Sequence, residues 1–122
     1  MIGIAHSITP EETKIAAAWY AMQIPAAGRS RDSALIESGK SVYMNGLPAL
    51  GVPAFQSCHG PDAQGKARAP RLAGQNGSYM LSQLAKFRAG DRQHAPEMTV
   101  VTKNLDSDSE EARAVAAYLQ SR

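Results

Sequence analysis

Cys58 and His59 are neighbours in the sequence, and their side chains are the pair best suited to chemistry. A zinc site would need further thiols or histidines at metal-binding spacing, which His6 and His94 do not supply. A cysteine nucleophile normally meets a histidine from a distant part of the chain, because adjacent residues are poorly placed for proton transfer. Taken alone, the pair therefore favours a structural role, with a small buried cysteine and a surface or core histidine.

The context of the pair points to a different chemistry. The pattern Cys-x-x-Cys-His marks covalent haem attachment, in which both thiols add to haem vinyl groups and the histidine reaches the iron. Cys58 and His59 form the second half of this pattern, and Phe55 occupies the position of the first cysteine. Cys58 is the only cysteine in the chain, so one thioether rather than two can form.

Length and composition exclude several classes of protein. The chain has 122 residues, of which 43% are hydrophobic and 20% are charged, as expected for one globular domain with its own core. It has no apolar run near the roughly 20 residues of a membrane helix, and it shows no secretory signal pattern. The net charge of +2 is too small to indicate nucleic-acid binding. Basic residues dominate between Lys66 and Arg92, either as solvated faces or as a docking surface for an acidic partner.

The periodicity of apolar residues predicts four helices and no strand. Thr9 and Glu12 form a capping-box pattern around Pro10, which indicates a helix start. The predicted helices run from Pro10 to Met22, from about Ser33 to Met44, from about Ser78 to Ala89, and from near Ser107 to the C-terminus. Gly39, in the middle of the second helix, is typical of close approach by another helix.

Two long segments, 45–76 and 90–106, are predicted to be irregular. The first is rich in glycine and proline. Loops of this length are uncommon in a small domain unless something organises them, and a bound cofactor would do so.

Several segments follow one another in a specific order around the Cys58-His59 pair. They are Gly39-Lys40-Ser41-Val42-Tyr43, Cys58-His59-Gly60-Pro61-Asp62-Ala63-Gln64-Gly65, Ala69-Pro70-Arg71-Leu72-Ala73-Gly74-Gln75, the pattern from Tyr79 to Arg92, Ala95-Pro96-Glu97-Met98 and Ala116-Ala117-Tyr118-Leu119. In order and spacing they resemble the class I c-type cytochromes and, within them, the dihaem cytochrome c-four group. The resemblance covers most of residues 35–122. It implies an all-α class I cytochrome c fold, with helices and long loops around a haem.

This resemblance also implies the iron ligands. Cys58 would carry the single thioether to haem c, and His59 would be the proximal iron ligand. Met98 would bind the iron from the opposite side, and His94 in the same loop competes with it for that role. His/Met ligation leaves no open coordination site and raises the reduction potential, which favours electron transfer over catalysis.

Further contacts to the haem and its ligands follow from the same resemblance. The carbonyl of Pro70 is expected to accept a hydrogen bond from the second ring nitrogen of His59 and so to orient the ring. Tyr79, Gln83 and Arg92 are candidates for contacts to the haem propionates, with ordinary surface or core roles as the alternative.

The N-terminal residues 1–24 resemble the end of a preceding cytochrome domain, and residues 25–34 a linker to the cytochrome domain at 35–122. The alternative is a helical extension. The predicted helix from Pro10 to Met22, together with the residues just before it, carries an apolar stripe that includes Ile8, Ile15 and Trp19. This stripe either folds back onto the domain or pairs with a second chain, and we favour a homodimer through residues 8–22.

We therefore predict a haem c electron carrier that is not an enzyme. The alternatives are a haem enzyme or gas sensor with an open iron site, and a haem-free helical interaction module. The expected partners are a redox protein that donates electrons and an oxidase or reductase that accepts them, including a membrane-bound redox complex. The resemblance implies a periplasmic location.

Overall fold

Helices are the only extended regular elements among residues 2–24, 28 and 32–122, which the computed structural model describes. In chain order they are α1 (Ile2–Ser7), α2 (Pro10–Ala21), α3 (Ser33–Asn45), a 3₁₀ turn (Pro48–Leu50), α4 (Phe55–His59), α5 (Gly77–Ala89), α6 (Pro96–Asn104) and α7 (Glu110–Gln120). Within these described ranges, β pairing is limited to two isolated bridges. The all-α prediction is confirmed. Of the described helices, none combines the length and apolar character needed to cross a membrane.

The packing of α3 against α7 forms the centre of the domain. A Cβ atom added to Gly39 would overlap the carbonyl oxygen of Ala114 and would lie 2.9 Å from the Cβ of Tyr118. The absence of a side chain at Gly39 therefore lets the two helices approach closely, as the sequence predicts. Tyr43 on α3 is fully buried, and its hydroxyl donates a hydrogen bond of 2.6 Å to the carbonyl of Gly60.

Helix α5 packs against α7 and has clear signals at both ends. The Asn76 side chain accepts a hydrogen bond from the Tyr79 amide at the N-terminus. Gly90 ends the helix in the left-handed conformation, with a φ of 84°. Met80, Leu84 and Phe87 lie on its buried face. This helix agrees with its predicted bounds to within one residue.

The segment 90–106, predicted to be irregular, contains helix α6, so that prediction is wrong. Pro96 occupies the first turn of α6. Thr102 is fully buried, and its hydroxyl donates to the carbonyl of Met98 at 2.8 Å, so it uses the helix itself as its hydrogen-bond partner. Helix α7 also begins later than predicted, because the side chain of Ser109 caps it by accepting from the Ala112 amide.

The loop between α3 and α5 is largely irregular, as predicted, but contains the 3₁₀ turn and the short helix α4. Ala63 adopts a left-handed conformation with a φ of 55°. Its carbonyl accepts hydrogen bonds from the amides of Leu72 and Ala73, at 2.9 and 3.0 Å. These bonds hold the segment before Lys66 against the segment that follows it.

The N-terminal helices lie apart from this core. The capping box of Thr9 and Glu12 is present, and no residue of α2 is buried. Ile15 and Trp19 are 64% and 53% exposed, so the stripe does not fold back onto the domain. The predicted stop at Pro25 and most of the predicted linker fall outside the described residues. Helix α1 is an addition to the predicted elements, whereas α3 begins at Ser33 as predicted.

Candidate haem site

A cavity of about 440 Å³ opens between α4, α5, α6, α7 and the loop before α5. Its volume lies in the range of about 300–1,000 Å³ that small-molecule and cofactor sites occupy. The apolar part of its lining consists of Phe55, Pro70, Leu72, Met80, Leu84, Phe87, Ala95, Met98, Val115, Ala116 and Leu119. The polar part consists of His59, Arg68, Arg71, Gln75, Tyr79, Gln83 and Arg92.

His59 is buried at the C-terminal end of α4 and lines this cavity. Its Nδ1 atom lies 2.8 Å from the carbonyl oxygen of Pro70. A carbonyl can only accept, so Nδ1 carries the proton and Nε2 keeps its lone pair in the neutral ring. The hydrogen bond therefore fixes the tautomer in which Nε2 is available to a metal.

Met98 contributes a thioether sulfur to the same cavity from the first turns of α6. His94 is exposed, and it is not among the described residues that line the cavity. The structure therefore brings Met98, but not His94, to the cavity with His59. Met98 lies in the segment 90–106 that was predicted to be irregular. Because this part of the segment is helix α6, the geometry of the helix sets the position of Met98.

Cys58 and Phe55 lie next to a smaller cavity of about 30 Å³, whose lining also includes His59 and Met98. The Cys58 thiol is free and exposed. Phe55 lines both cavities and stacks on Tyr43, with ring centroids 6.2 Å apart. A bulky aromatic ring thus fills the position where the attachment pattern would have its first thiol.

Tyr79, Gln83 and Arg92 lie at the polar part of the cavity lining. Tyr79 is 49% exposed, so its ring reaches the opening. The guanidinium of Arg92 donates to the side-chain oxygen of Gln83 at 3.1 Å and lies 4.3 Å from the centroid of the Phe87 ring. Arg92 is therefore held in place from two sides.

Sequence reasoning missed two cationic residues of the site, Arg68 and Arg71. Nε of Arg71 donates to the carbonyl of Ala73 at 3.1 Å. Both arginines lie close in sequence to Pro70, whose carbonyl was predicted to accept a hydrogen bond from His59. The concentration of basic residues after Lys66 was the available signal, but it did not indicate that these side chains reach the cavity.

The residues of the cavity fit a haem on their own chemistry. An apolar lining suits the macrocycle, and a histidine with a free Nε2 and a methionine sulfur both border the space. A thiol lies beside it at Cys58, and three arginines supply positive charge for carboxylates. No cluster of three or more His, Cys, Asp or Glu side chains among the described residues would hold a bare metal ion.

Comparisons with known proteins identify the family of the chain. The cytochrome c family model matches residues 48–122, which is more than half of the chain. The chain is 32% identical to cytochrome c4 of Azotobacter vinelandii over 123 residues, which cover 98% of this chain and 58% of the relative. The chain therefore spans less than two thirds of that relative's length.

Two further similarities are to a curated protein and to a solved structure. A thiosulfate dehydrogenase electron acceptor of Stutzerimonas stutzeri is 40% identical over 84 residues, which cover 67% of this chain and 38% of the relative. The structure of Acidithiobacillus ferrooxidans cytochrome c4 superimposes with a TM-score of 0.87 at 32% identity, covering 100% of this chain and 70% of the other. The chain belongs to the cytochrome c family, whose members carry electrons on a c-type haem.

Proposed function

We propose that the chain binds one haem c through Cys58, His59 and Met98 and passes single electrons between redox proteins. The observation that carries this proposal is the shared cavity of His59 and Met98, with the His59 ring already oriented by Pro70. When bound, the haem supplies an iron centre that changes its charge by one electron. His59, Met98 and Cys58 would hold that centre in a cavity with a largely apolar lining.

His59 is the proposed proximal ligand, and Pro70 is its positioning residue. The Nδ1–H donates to the Pro70 carbonyl, so the ring cannot rotate without losing a partly buried hydrogen bond. The hydrogen bond that Nδ1 donates also raises the basicity of Nε2, the proposed coordinating nitrogen. Pro70 thereby sets both the direction and the donor strength of His59.

Met98 is the proposed ligand on the other side. Met98 is partly buried on α6 and lines the cavity that His59 also lines. A thioether favours the reduced iron and raises the potential, which suits an electron carrier. If His59 and Met98 both bind the iron, no position for a substrate would remain there.

Cys58 is the proposed single point of covalent attachment. The free thiol lies beside the smaller cavity, and Phe55 occupies the side where a second thioether would form. The vinyl group nearest to Phe55 would therefore stay unsaturated and be held by packing alone.

Tyr79 and Arg92 are the proposed contacts for the haem carboxylates, and Gln83 holds Arg92 in position. A guanidinium and a phenol hydroxyl are both donors that suit carboxylate oxygens. Their place at the open part of the cavity lining supports this assignment, because the carboxylates of a buried haem need contact with polar groups.

Partners and location are part of the same proposal. The similarity to a thiosulfate dehydrogenase electron acceptor supports a redox enzyme as the electron donor. The proposed acceptor is an oxidase or reductase, including one in a membrane-bound redox complex. We expect this exchange to take place in the periplasm. The region at 35–122 would be the haem domain, preceded by the segment 25–34 as a linker and residues 1–24 as a helical appendage.

A homodimer through residues 8–22 is the proposed arrangement of the N-terminal helix. Ile15, Trp19 and Met22 are each more than half exposed. Full burial of such a side chain in an interface would stabilise the dimer by about 1.5–3 kcal/mol. Sedimentation of the full chain at increasing concentration tests this: Ile15→Asp should abolish any dimer, and a wild-type chain that remains monomeric contradicts the proposal.

Visible spectra of the oxidised and reduced protein test the proposed function. Low-spin bands in both states, with no binding of carbon monoxide on mixing, are expected for His/Met ligation. High-spin bands would indicate the open iron site of a haem enzyme or gas sensor. Absence of haem bands after maturation would instead indicate a haem-free interaction module.

A further inference from the structure

Helix α4 carries Cys58 and His59 but is too short to be stable on its own. It has five residues, and Ala54 at its N-terminus provides no side-chain cap. Isolated helices shorter than about 12–15 residues are marginal in water, so the stability of a short helix comes mainly from packing against its neighbours. The direction of the Cys58 and His59 side chains therefore depends on the contacts that hold α4.

The last turn of α3 holds α4 at both ends, and Tyr43 takes part at each of them. Its ring stacks on Phe55, the first residue of α4, with the two ring planes inclined at 30°. Its hydroxyl donates to the carbonyl of Gly60, the residue that ends α4. Close by, Nε2 of Gln56 donates to the carbonyl of Met44 at 2.7 Å. Together these contacts fasten α4 to α3.

Phe55 is the residue through which α4 joins the hydrophobic core. Its side chain is partly buried and packs against two clusters of buried residues, one that includes Tyr43 and one that includes Leu84. It lies one turn before Cys58, and residues three positions apart share a face of a helix. Fixing the Phe55 ring therefore fixes the face of α4 that presents Cys58.

A chain with the full Cys-x-x-Cys-His pattern ties this turn to the haem by two covalent bonds. In this chain Phe55 replaces the first thiol, and its ring is fastened to the protein instead. We infer that Phe55 is a positioning residue for haem attachment, because its stacking on Tyr43 holds α4 so that the Cys58 thiol meets a vinyl group. This inference rests on the proposed function and adds a residue that acts through Cys58.

The reaction that Phe55 assists is an addition. The S–H bond of Cys58 breaks, the sulfur bonds to the inner carbon of the vinyl group, and the hydrogen goes to the outer carbon. The C=C bond becomes a single bond, and no oxidant or reductant is consumed. Because the thiol must approach one particular carbon, a displacement of about 1 Å can slow such a step by as much as about 10²-fold.

The rate of this addition in the full chain tests the role of Phe55. The haem-free chain, with its thiol reduced, is mixed with ferrous protohaem at increasing concentrations without oxygen. Haem that stays with the protein after extraction with acidified organic solvent is measured over time. The limiting rate at saturating haem reports on the presentation of Cys58, whereas the half-saturating concentration reports on haem binding. Phe55→Leu keeps a large apolar side chain without the ring and should lower the limiting rate about tenfold.

Two further variants separate positioning from general packing. Ile36 on α3 is partly buried against the cluster that includes Tyr43, and it is not among the described residues that line either cavity. Ile36→Ala should leave the limiting rate nearly unchanged, because it removes packing at a distance from α4. In a Tyr43→Leu background, Phe55→Leu should cause little further loss, because the stacking partner is already absent.

A limiting rate that is the same for Phe55→Leu and the wild type would overturn the positioning role. Equal losses in Phe55→Leu and Ile36→Ala would also overturn it, because the effect would then be one of general stability. So would an undiminished effect of Phe55→Leu in the Tyr43→Leu background. A wild-type chain that binds protohaem but retains none after extraction would instead contradict attachment at Cys58 and the proposed function itself, so the two failures are distinguishable.

Discussion

The Nδ1 atom of His59 lies 2.8 Å from the carbonyl oxygen of Pro70, eleven residues later in the chain. This hydrogen bond joins the end of α4 to the loop that leads to α5. It is formed entirely by protein atoms, so the path of the chain itself orients the ring of the proposed ligand.

Cys58→Ala should abolish covalent attachment, because Cys58 is the only thiol of the chain. Haem can still bind through His59 and Met98, so the variant should show haem bands when native and lose haem when denatured. Intact-mass measurement under denaturing conditions should give the mass of the chain alone. Ser57→Ala is the matched control, since Ser57 is the exposed neighbour of Cys58, and it should retain one haem. A Cys58→Ala chain that still carries haem mass would contradict this assignment.

Met98→Ala should open the iron, because it removes the thioether from the cavity that His59 also lines. We expect high-spin bands, ready binding of carbon monoxide, and a potential lower by on the order of 0.1 V, within the roughly 0.8 V range that axial ligands span. Spectroscopic redox titration measures the bands and the potential, and spectra of the reduced protein with and without carbon monoxide measure its binding.

Two controls accompany the Met98 variant. Met44→Ala changes a methionine that is 37% exposed and lies outside the cavity lining, so its spectrum should be that of the wild type. His94→Ala should likewise leave the potential unchanged. If His94→Ala opens the iron and Met98→Ala does not, His94 is the ligand.

Gly39→Ala should destabilise the domain by at least about 1–3 kcal/mol, because the new methyl group would overlap the Ala114 carbonyl and crowd Tyr118. Chemical denaturation followed by circular dichroism measures this loss. Gly3→Ala is the control, because a Cβ at Gly3 meets no atom within 4 Å. Equal stability of the Gly39→Ala variant and wild type would mean that α3 and α7 do not pack as described.

The free energy of unfolding should decrease at high pH because of the ionisation of Tyr43. Burial, together with the nearby Tyr118, raises the pKa of Tyr43 to about 12, whereas an unfolded tyrosine titrates near 10. The unfolded state therefore releases this proton first, and stability is lost as pH rises from about 10 to about 12.

Tyr43→Phe should flatten the pH dependence over the same interval. At neutral pH the variant should lose about 0.5–1.5 kcal/mol, because one hydrogen bond to Gly60 disappears while the Ala63 amide still donates to that carbonyl. Urea unfolding at a series of pH values measures both effects. A Tyr43→Phe variant with the same slope as the wild type above pH 10 would show that other groups dominate.

Much of the fold could be predicted because its signals are local. Asn76 and Gly90 mark the two ends of α5, and Thr9 with Glu12 marks the start of α2. Helix α6 was missed for two reasons. It is only nine residues long, and its buried face includes the polar Thr102. The burial of Thr102 depends on a hydrogen bond within the helix that a hydrophobic pattern does not register.

The site could be predicted where a residue type carries the chemistry, as at Cys58 and His59. Arg92 was a candidate for a haem contact, but Arg68 and Arg71 were not, because an arginine side chain is long enough to reach either solvent or a cavity from the same backbone position. Arg68 and Arg71 became part of the site only through the path of the loop around Pro70.

The reduced pyridine haemochrome of the purified chain, recorded after extraction with acidified organic solvent, tests the central claim most directly. Haem attached through Cys58 alone should stay with the protein, and its α-band should lie between those of protohaem and of haem with two thioethers. Complete extraction of the haem, or an α-band typical of two saturated vinyl groups, would contradict attachment through a single thioether at Cys58.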